Sequence, residues 1–208
     1  AYNKNKIKKI SNSLREQNEK NKSDNGVAPL PIYEEGQSLT ALKVVPSAGI
    51  DPVTGQEIFI KRDGSYTFTY DPNDKVIFGD TNPFGTGSVN SYLTYKRFAL
   101  SCTFQYSFGG SLYNETLATK VEGANPKYNA DERVLNDRWK TPGTVAKYKR
   151  IDDTTTPYQT SRFVEKNNFL RMSSLSLSYE VPTNFIQKYG LKRMFLELLT
   201  NDLFYLST

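Results

Sequence analysis

Between Phe98 and Phe108 every second residue is apolar or aromatic: Phe98, Leu100, Cys102, Phe104, Tyr106 and Phe108, with Ala99, Ser101, Thr103, Gln105 and Ser107 between them. A period of two places alternate side chains on opposite faces, so the stretch predicts a β-strand with one apolar and one polar face. Residues 87–95 repeat the pattern, with Val89, Leu93 and Tyr95 on one side and Asn90, Tyr92 and Thr94 on the other. Only "KR" separates the two runs, which predicts a tight hairpin over 87–109. A third run, 168–180, sets Leu175, Leu177 and Tyr179 against Ser174, Ser176 and Ser178. A fourth, 193–206, sets Met194, Leu196 and Leu198 against Phe195, Glu197 and Leu199. The turn between these two, "TNFIQKYGLKR", predicts a short helix ending at Gly190.

Elsewhere the pattern is weak. Residues 11–37 read as loop with at most a short helix over 14–20, and 38–46 as a weak strand closed by Pro46. Glu57–Lys61 and Tyr66–Tyr70 predict a hairpin, with Asp63-Gly64 as a primed turn. Residues 110–167 carry "RWKTPG" and "DDTTTP" but no regular period, and connections of that length are functional or disordered. "AYNKNKIKKI" reads as the end of a strand, and "NDLFYLST" stops inside an apolar run. Both ends are therefore expected to lie within a larger protein. The connections are one-sided: "KR" and 181–192 are short, whereas 11–86 and 110–167 are long. Outer-membrane barrels have short turns at one end and long loops at the other, while soluble sandwiches have loops clustered at both ends. The apolar faces are thus expected to meet either lipid or a soluble core.

Composition narrows this. Hydrophobic residues make up 37% of the 208, yet there are 14 Tyr and 12 Phe against 2 Met and 1 Trp, a bias toward strands. No run approaches the length of a membrane helix, which leaves a β-barrel open. The net charge of +5 is modest and scattered. Its densest cluster, "KNKIKKI" over Lys4–Ile10, lacks a flanking aromatic platform or glycine loop. It reads as a charged strand end rather than a phosphate patch, and no nucleic-acid partner is expected. Without histidine and with one cysteine, the commonest general base, the serine-type triad and most zinc sites are excluded, and no cofactor is expected. Asp51, Asp63, Asp71 and Asp74 do not have calcium-loop spacing, and Pro52 and Pro72 fix turns there, so no metal is expected. Glu57 with Asp63, or Asp131 with Glu132, lack a defined separation for acid–base work, so an enzyme is not expected.

The blocks "GIDPVTGQEIF", "YKRFALSCTFQYSFGGSLYN", "DRWKTPG", "SRFVEKNNFLRMSSLSLSY" and "LKRMFLELLTNDLF", in that order, resemble the C-terminal part of the SusC/RagA family, the TonB-dependent outer-membrane transporters of Bacteroidetes. The resemblance implies an all-β fold: an antiparallel segment of a 22-stranded transmembrane barrel with long extracellular loops. Residues 1–208 are then a single C-terminal piece of the barrel domain, without plug, TonB box or final strand. They are expected to supply parts of five strands: one ending before Ser11, then 87–95, 98–109, 168–180 and 193–206. Phe98, Leu100, Phe104, Leu175 and Leu177 are expected to face lipid, with Tyr95, Tyr106 and Tyr179 near the interfaces and the Ser/Thr/Gln face toward the lumen.

The resemblance also implies function. Family members import oligosaccharides or peptides, paired with a SusD-like surface lipoprotein and energised by the TonB system through the missing N-terminal part. Among loop residues, aromatic faces and planar polar side chains suit such substrates, which makes Tyr113, Asn114 and Trp139 the candidate binding residues, although Trp139 reads first as a structural plug of its own loop. A different reading is a soluble cell-surface β-sandwich that binds or adheres through its long loops. It accounts for the tyrosine-rich strands but not for the one-sided loop lengths.

Overall fold

A computed structural model describes residues 1–125, 127, 128 and 130–208. The chain divides into two compact units: residues 1–3, 83–110 and 167–208 form one, and residues 4–82 and 111–166 form the other.

In chain order, the elements begin with α1 (Asn12–Lys22), β1 (Ala41–Val44), β2 (Ser47–Ile50), β3 (Glu57–Ile60), β4 (Tyr66–Thr67) and β5 (Val76–Asp80). The hairpin β6 (Gly85–Tyr95) and β7 (Phe98–Phe108) follows, then β8 (Ser111–Tyr113), α2 (Arg133–Asn136) and β9 (Val164–Lys166). The chain closes with β10 (Phe169–Glu180), α3 (Thr183–Ile186) and β11 (Phe195–Ser207).

The first unit is one antiparallel sheet in the order β11-β10-β7-β6. Its register keeps the apolar residues together. Leu100 lies between Leu93 and Leu177, Phe104 between Val89 and Met172, and Phe98 between Tyr95 and Tyr179. A bulge at Ser173 makes this possible: β10 changes parity there, so Leu170 and Met172 share a face with Leu175, Leu177 and Tyr179. Phe98, Leu100, Phe104, Leu175 and Leu177 all lie on this face, which Ser91 and Thr200 interrupt. On the opposite face Arg171 Nε donates to Gln105 Oε1 at 2.9 Å and Ser176 Oγ to Glu197 Oε1 at 2.6 Å. Lys96 takes φ 54, as the first central residue of a primed two-residue turn does, and the helical turn after β10 ends at Gly190 with φ 74.

Two expectations need correction here. Of the fifth strand, only a bridge between Tyr2 and Gly85 is present; residues 4–10 join no ladder, and Ile7 exchanges backbone hydrogen bonds with Gly36 and Gln37. Nor does the β3–β4 connection have a primed turn. Gly64 N donates to Lys61 O and Lys61 N to Ser65 O, with Gly64 alone at positive φ, which is a three-residue loop. Among the described residues the sheet does not close into a barrel.

The second unit is folded, where the sequence led us to expect loops. It carries the two-stranded sheets β1-β5 and β8-β9 and the three-stranded sheet β2-β3-β4. Its core joins Leu117, Ala118 and Val121 from a π-helical stretch (Leu117–Glu122) to Val134, Tyr148 and Phe163. Helix α1 is longer than expected and almost wholly polar. Its inward residues are Asn18 and Asn21, whose amides bond the Tyr33 and Pro31 carbonyls at 2.5 and 2.7 Å, while Asn18 Oδ1 accepts from Tyr33 N. Lys75 closes the helix's C-terminal end by donating to the carbonyls of Asn21, Lys22 and Asp24. Burial pushes the pKa of this ammonium down, and Asp24 opposes the shift.

Candidate functional site

The second unit holds the candidate binding residues, and it uses most of their polar atoms internally. Tyr113 follows from the β8 edge into the core, where its ring meets Phe163 edge-on at 5.9 Å. Its hydroxyl donates to Val27 O at 2.8 Å, and burial pushes the phenol pKa up. Asn114 Nδ2 donates to Glu165 Oε2 at 2.9 Å, and its Oδ1 accepts from Leu117 N at 3.1 Å, starting the helical stretch. Trp139 Nε1 donates to Pro52 O at 2.8 Å, and one ring face rests on Gly55, where an added Cβ would lie 2.5 Å from the indole. Gly55 takes φ +71, so it meets two demands at once: a left-handed turn and a close approach.

Trp139 also lines a cleft of about 370 Å³ with Val134, Leu135, Lys140, Arg150 and Ile151. Arg150 sits 5.9 Å from the ring centroid and is ion-paired to Asp152. The cleft therefore offers an aromatic edge, three aliphatic side chains and cationic groups. Tyr113 and Asn114 are not part of it. Asn114's partner Glu165 lines another cleft, of about 530 Å³, with Arg133, Asp137, Lys147, Tyr148 and Arg162. The structure thus does not gather the three candidates into one site.

Sequence reasoning missed the group that ties this unit together. Arg162 lies between two carboxylates. Nε and Nη2 donate to Glu57 at 2.8 and 2.7 Å, and Nη2 and Nη1 to Glu122 at 2.7 and 3.2 Å. Nη1 also reaches Lys147 O at 2.7 Å. Burial works against the guanidinium charge, but the two carboxylates outweigh it and hold Arg162 more firmly protonated than usual. Nearby, Arg138 is buried and donates to the carbonyls of Val134, Lys149, Val121 and Glu122. Burial lowers its pKa, with Glu122 acting in the opposite direction. These residues are separated by up to 105 positions (Glu57 to Arg162), and no local spacing signals them.

The acidic residues considered for metal or acid–base roles have structural partners. Asp51 accepts from Thr54 Oγ1 at 2.6 Å, Asp63 from Ser65 Oγ at 2.6 Å, Asp71 from Asn73 N, and Asp74 from Arg62 N. Asp131 pairs with Arg133, whose hydrogen bonds hold the carboxyl down at about 2. Among the described residues, no group of three or more His, Cys, Asp or Glu side chains is placed to hold a metal ion.

No protein-family model matches the chain. It is 33% identical over 150 residues to TonB-dependent receptor P3 of Formosa agariphila, an alignment covering 70% of this chain and 14% of that protein. Among solved structures, the RagAB peptide importer in its closed-closed state matches with a TM-score of 0.70 and 22% identity, over 85% of this chain and 20% of that one. The open-open state matches with a TM-score of 0.71 and 21% identity. At these identities the structural matches speak for the fold alone. The chain spans about a seventh of the curated relative's length and a fifth of the solved chains.

Proposed function

The chain belongs to the TonB-dependent receptors of the SusC/RagA type, and from that membership we propose that it forms part of the barrel wall and outer loops of an outer-membrane importer. The observation that carries this reading is the two-faced sheet. Its apolar face has an aromatic row at each end. Tyr95, Phe98 and Tyr179 lie beside the short turns, with Phe98 and Tyr179 at 4.7 Å. Tyr106 and Phe108 lie beside the long connections, stacked at 5.6 Å, with Phe84 6.4 Å from Phe108. Ten residues separate Phe98 from Phe108, about 33 Å of strand at about 3.3 Å per residue. Tilted by about 40°, that length projects to about 25 Å, the height of an outer-membrane apolar band flanked by aromatic girdles. Leu93 and Leu198 between the rows are 61% and 70% exposed, which suits a lipid neighbour and not the interior of a sandwich. The opposite face, with its Arg171–Gln105 and Ser176–Glu197 pairs, suits a wet lumen.

In this reading residues 1–208 are one C-terminal piece of the barrel domain, and plug, TonB box and final strand belong to the rest of the receptor. The protein imports oligosaccharide or peptide with a SusD-like lipoprotein as partner and the TonB system as energy source. It is a transporter rather than an enzyme. The second unit, built from the long connections, faces outward and carries substrate and lid contacts, with the edge of Trp139 in its cleft as the strongest of the three candidates. Tyr113 and Asn114 shape that unit. The test is TonB-dependent uptake by intact cells, with matched oligosaccharide and peptide libraries, together with affinity capture of a surface lipoprotein. Uptake that persists without TonB, or a receptor that stays soluble and monomeric without detergent, would replace this reading with the soluble adhesion module.

A further inference from the structure

The lysines of "KNKIKKI" have no role in the import reading. Lys4, Lys6, Lys8 and Lys9 are all exposed, and no ion pair among the described residues holds any of them. The acidic residues on the neighbouring segment are already engaged, Glu34 with Lys43 at 2.7 Å and Glu35 with Arg15 at 3.6 Å. Four ammonium groups within six residues, without a carboxylate, repel one another. An arrangement like this attracts anionic groups.

The residues that precede them in the chain belong to the sheet. Residues 1–3 run antiparallel to β6: Thr86 N donates to Ala1 O, Tyr2 bridges Gly85, and Asn3 N donates to Phe84 O. They therefore leave the sheet at the end with the long connections. Tyr2 packs edge-on against Phe84 at 4.8 Å, which extends the row of Phe84, Phe108 and Tyr106. Lys4 is bonded to Asn3, so the lysine run begins at the residue after the last one paired to β6. The whole run to Lys9 reaches no further than about 20 Å. Asn5 and Ile7 are turned toward their own unit: Asn5 Oδ1 accepts from Ser38 Oγ and Leu39 N, and Ile7 is half-buried. Lys4, Lys6 and Lys8 take the alternate positions, and Lys9, although on the parity of Ile7, is exposed as well.

We propose that Lys4, Lys6, Lys8 and Lys9 form a lipid-phosphate clamp that binds the anionic headgroups of the leaflet on the loop side of the barrel. Aromatic rings at the interface and long cationic side chains just beyond it are the two anchors that fix a membrane protein's depth. A phosphate headgroup provides the missing counter-charge, and each lysine near an anionic surface strengthens binding about fivefold. The proposal rests on the membrane seating of the sheet.

The test uses the full-length receptor in neutral detergent, with phosphatidic acid as the probe, phosphatidylcholine as the comparison lipid, and retained lipid counted by native mass spectrometry. The wild type should retain phosphatidic acid selectively, and added salt should weaken retention. Replacing the four lysines by Gln should weaken it at least about tenfold, whereas replacing them by Arg should preserve it. K8Q alone, at one exposed position, should give a several-fold loss. Equal retention by the wild type and the Gln variant would overturn the clamp, as would full displacement by excess inorganic phosphate or equal binding of a short RNA. Solubility of the wild type without detergent would instead overturn the membrane seating, so the two failures are distinguishable.

Discussion

Arg162→Met removes a cation held between two carboxylates that are themselves shut off from water: the side chains of Glu57 and Glu122 are 7% and 0% exposed. Five hydrogen bonds from the guanidinium vanish together. Their loss alone is modest, but two like charges then face each other in a dry site. Breaking a buried ion pair from one side costs about 3–5 kcal/mol. Arg162→Lys should fall between, because an ammonium cannot make the two forked contacts. The triple variant Arg162→Met, Glu57→Gln, Glu122→Gln should recover most of the loss, since it removes the uncompensated charge. The measurement is hydrogen exchange of the full-length receptor, read on peptides covering 111–125 and 157–166. Arg162→Met should accelerate exchange there while leaving 98–108 and 169–180 protected. Unchanged exchange in the loop peptides, or a triple variant worse than the single one, would refute the idea that Arg162 holds this unit together.

Phe104, close to the middle of its strand, packs 6.2 Å from Phe204 on the apolar face. Phe104→Arg should destabilise the barrel by roughly 2–4 kcal/mol in chemical denaturation, while Thr103→Arg on the polar face should change stability little. Gly55→Ala should lower the stability of the loop unit by more than about 1 kcal/mol, from the left-handed backbone and the clash with Trp139. Near-ultraviolet circular dichroism would report the displaced indole, and an unchanged spectrum would contradict the packing. Deleting 115–160 should abolish uptake or lipoprotein capture with the barrel still assembled. A tag within 115–135 should be reached from outside the cell, and one after Thr183 should not.

The four long strands were legible because each has one wet face and one apolar face, and a period of two survives in the sequence wherever that is so. The Ser173 bulge was less visible, since it appears only as a switch from Leu170 and Met172 to Leu175 and Leu177. The loop unit was hidden for a different reason. Its core draws Leu117, Val134, Tyr148 and Phe163 from separate segments, each too short to set a period. Its helix α1 docks through Asn18 and Asn21, which hydropathy scores as surface. Trp139 was found as a lone aromatic in a loop, but its supports, Gly55 and Pro52, come from more than eighty residues away and only the fold brings them near. The Arg162 cluster is equally non-local.

Quencher accessibility across the sheet bears most directly on the central claim, that one face meets lipid and the other an aqueous lumen. Spin labels at Phe104 and Leu177 should relax strongly with oxygen dissolved in the bilayer and weakly with a water-soluble nickel chelate. Labels at Thr103 and Ser176, one residue away on β7 and β10, should show the reverse. The same preference at all four positions, or the opposite assignment, would contradict the barrel-wall account.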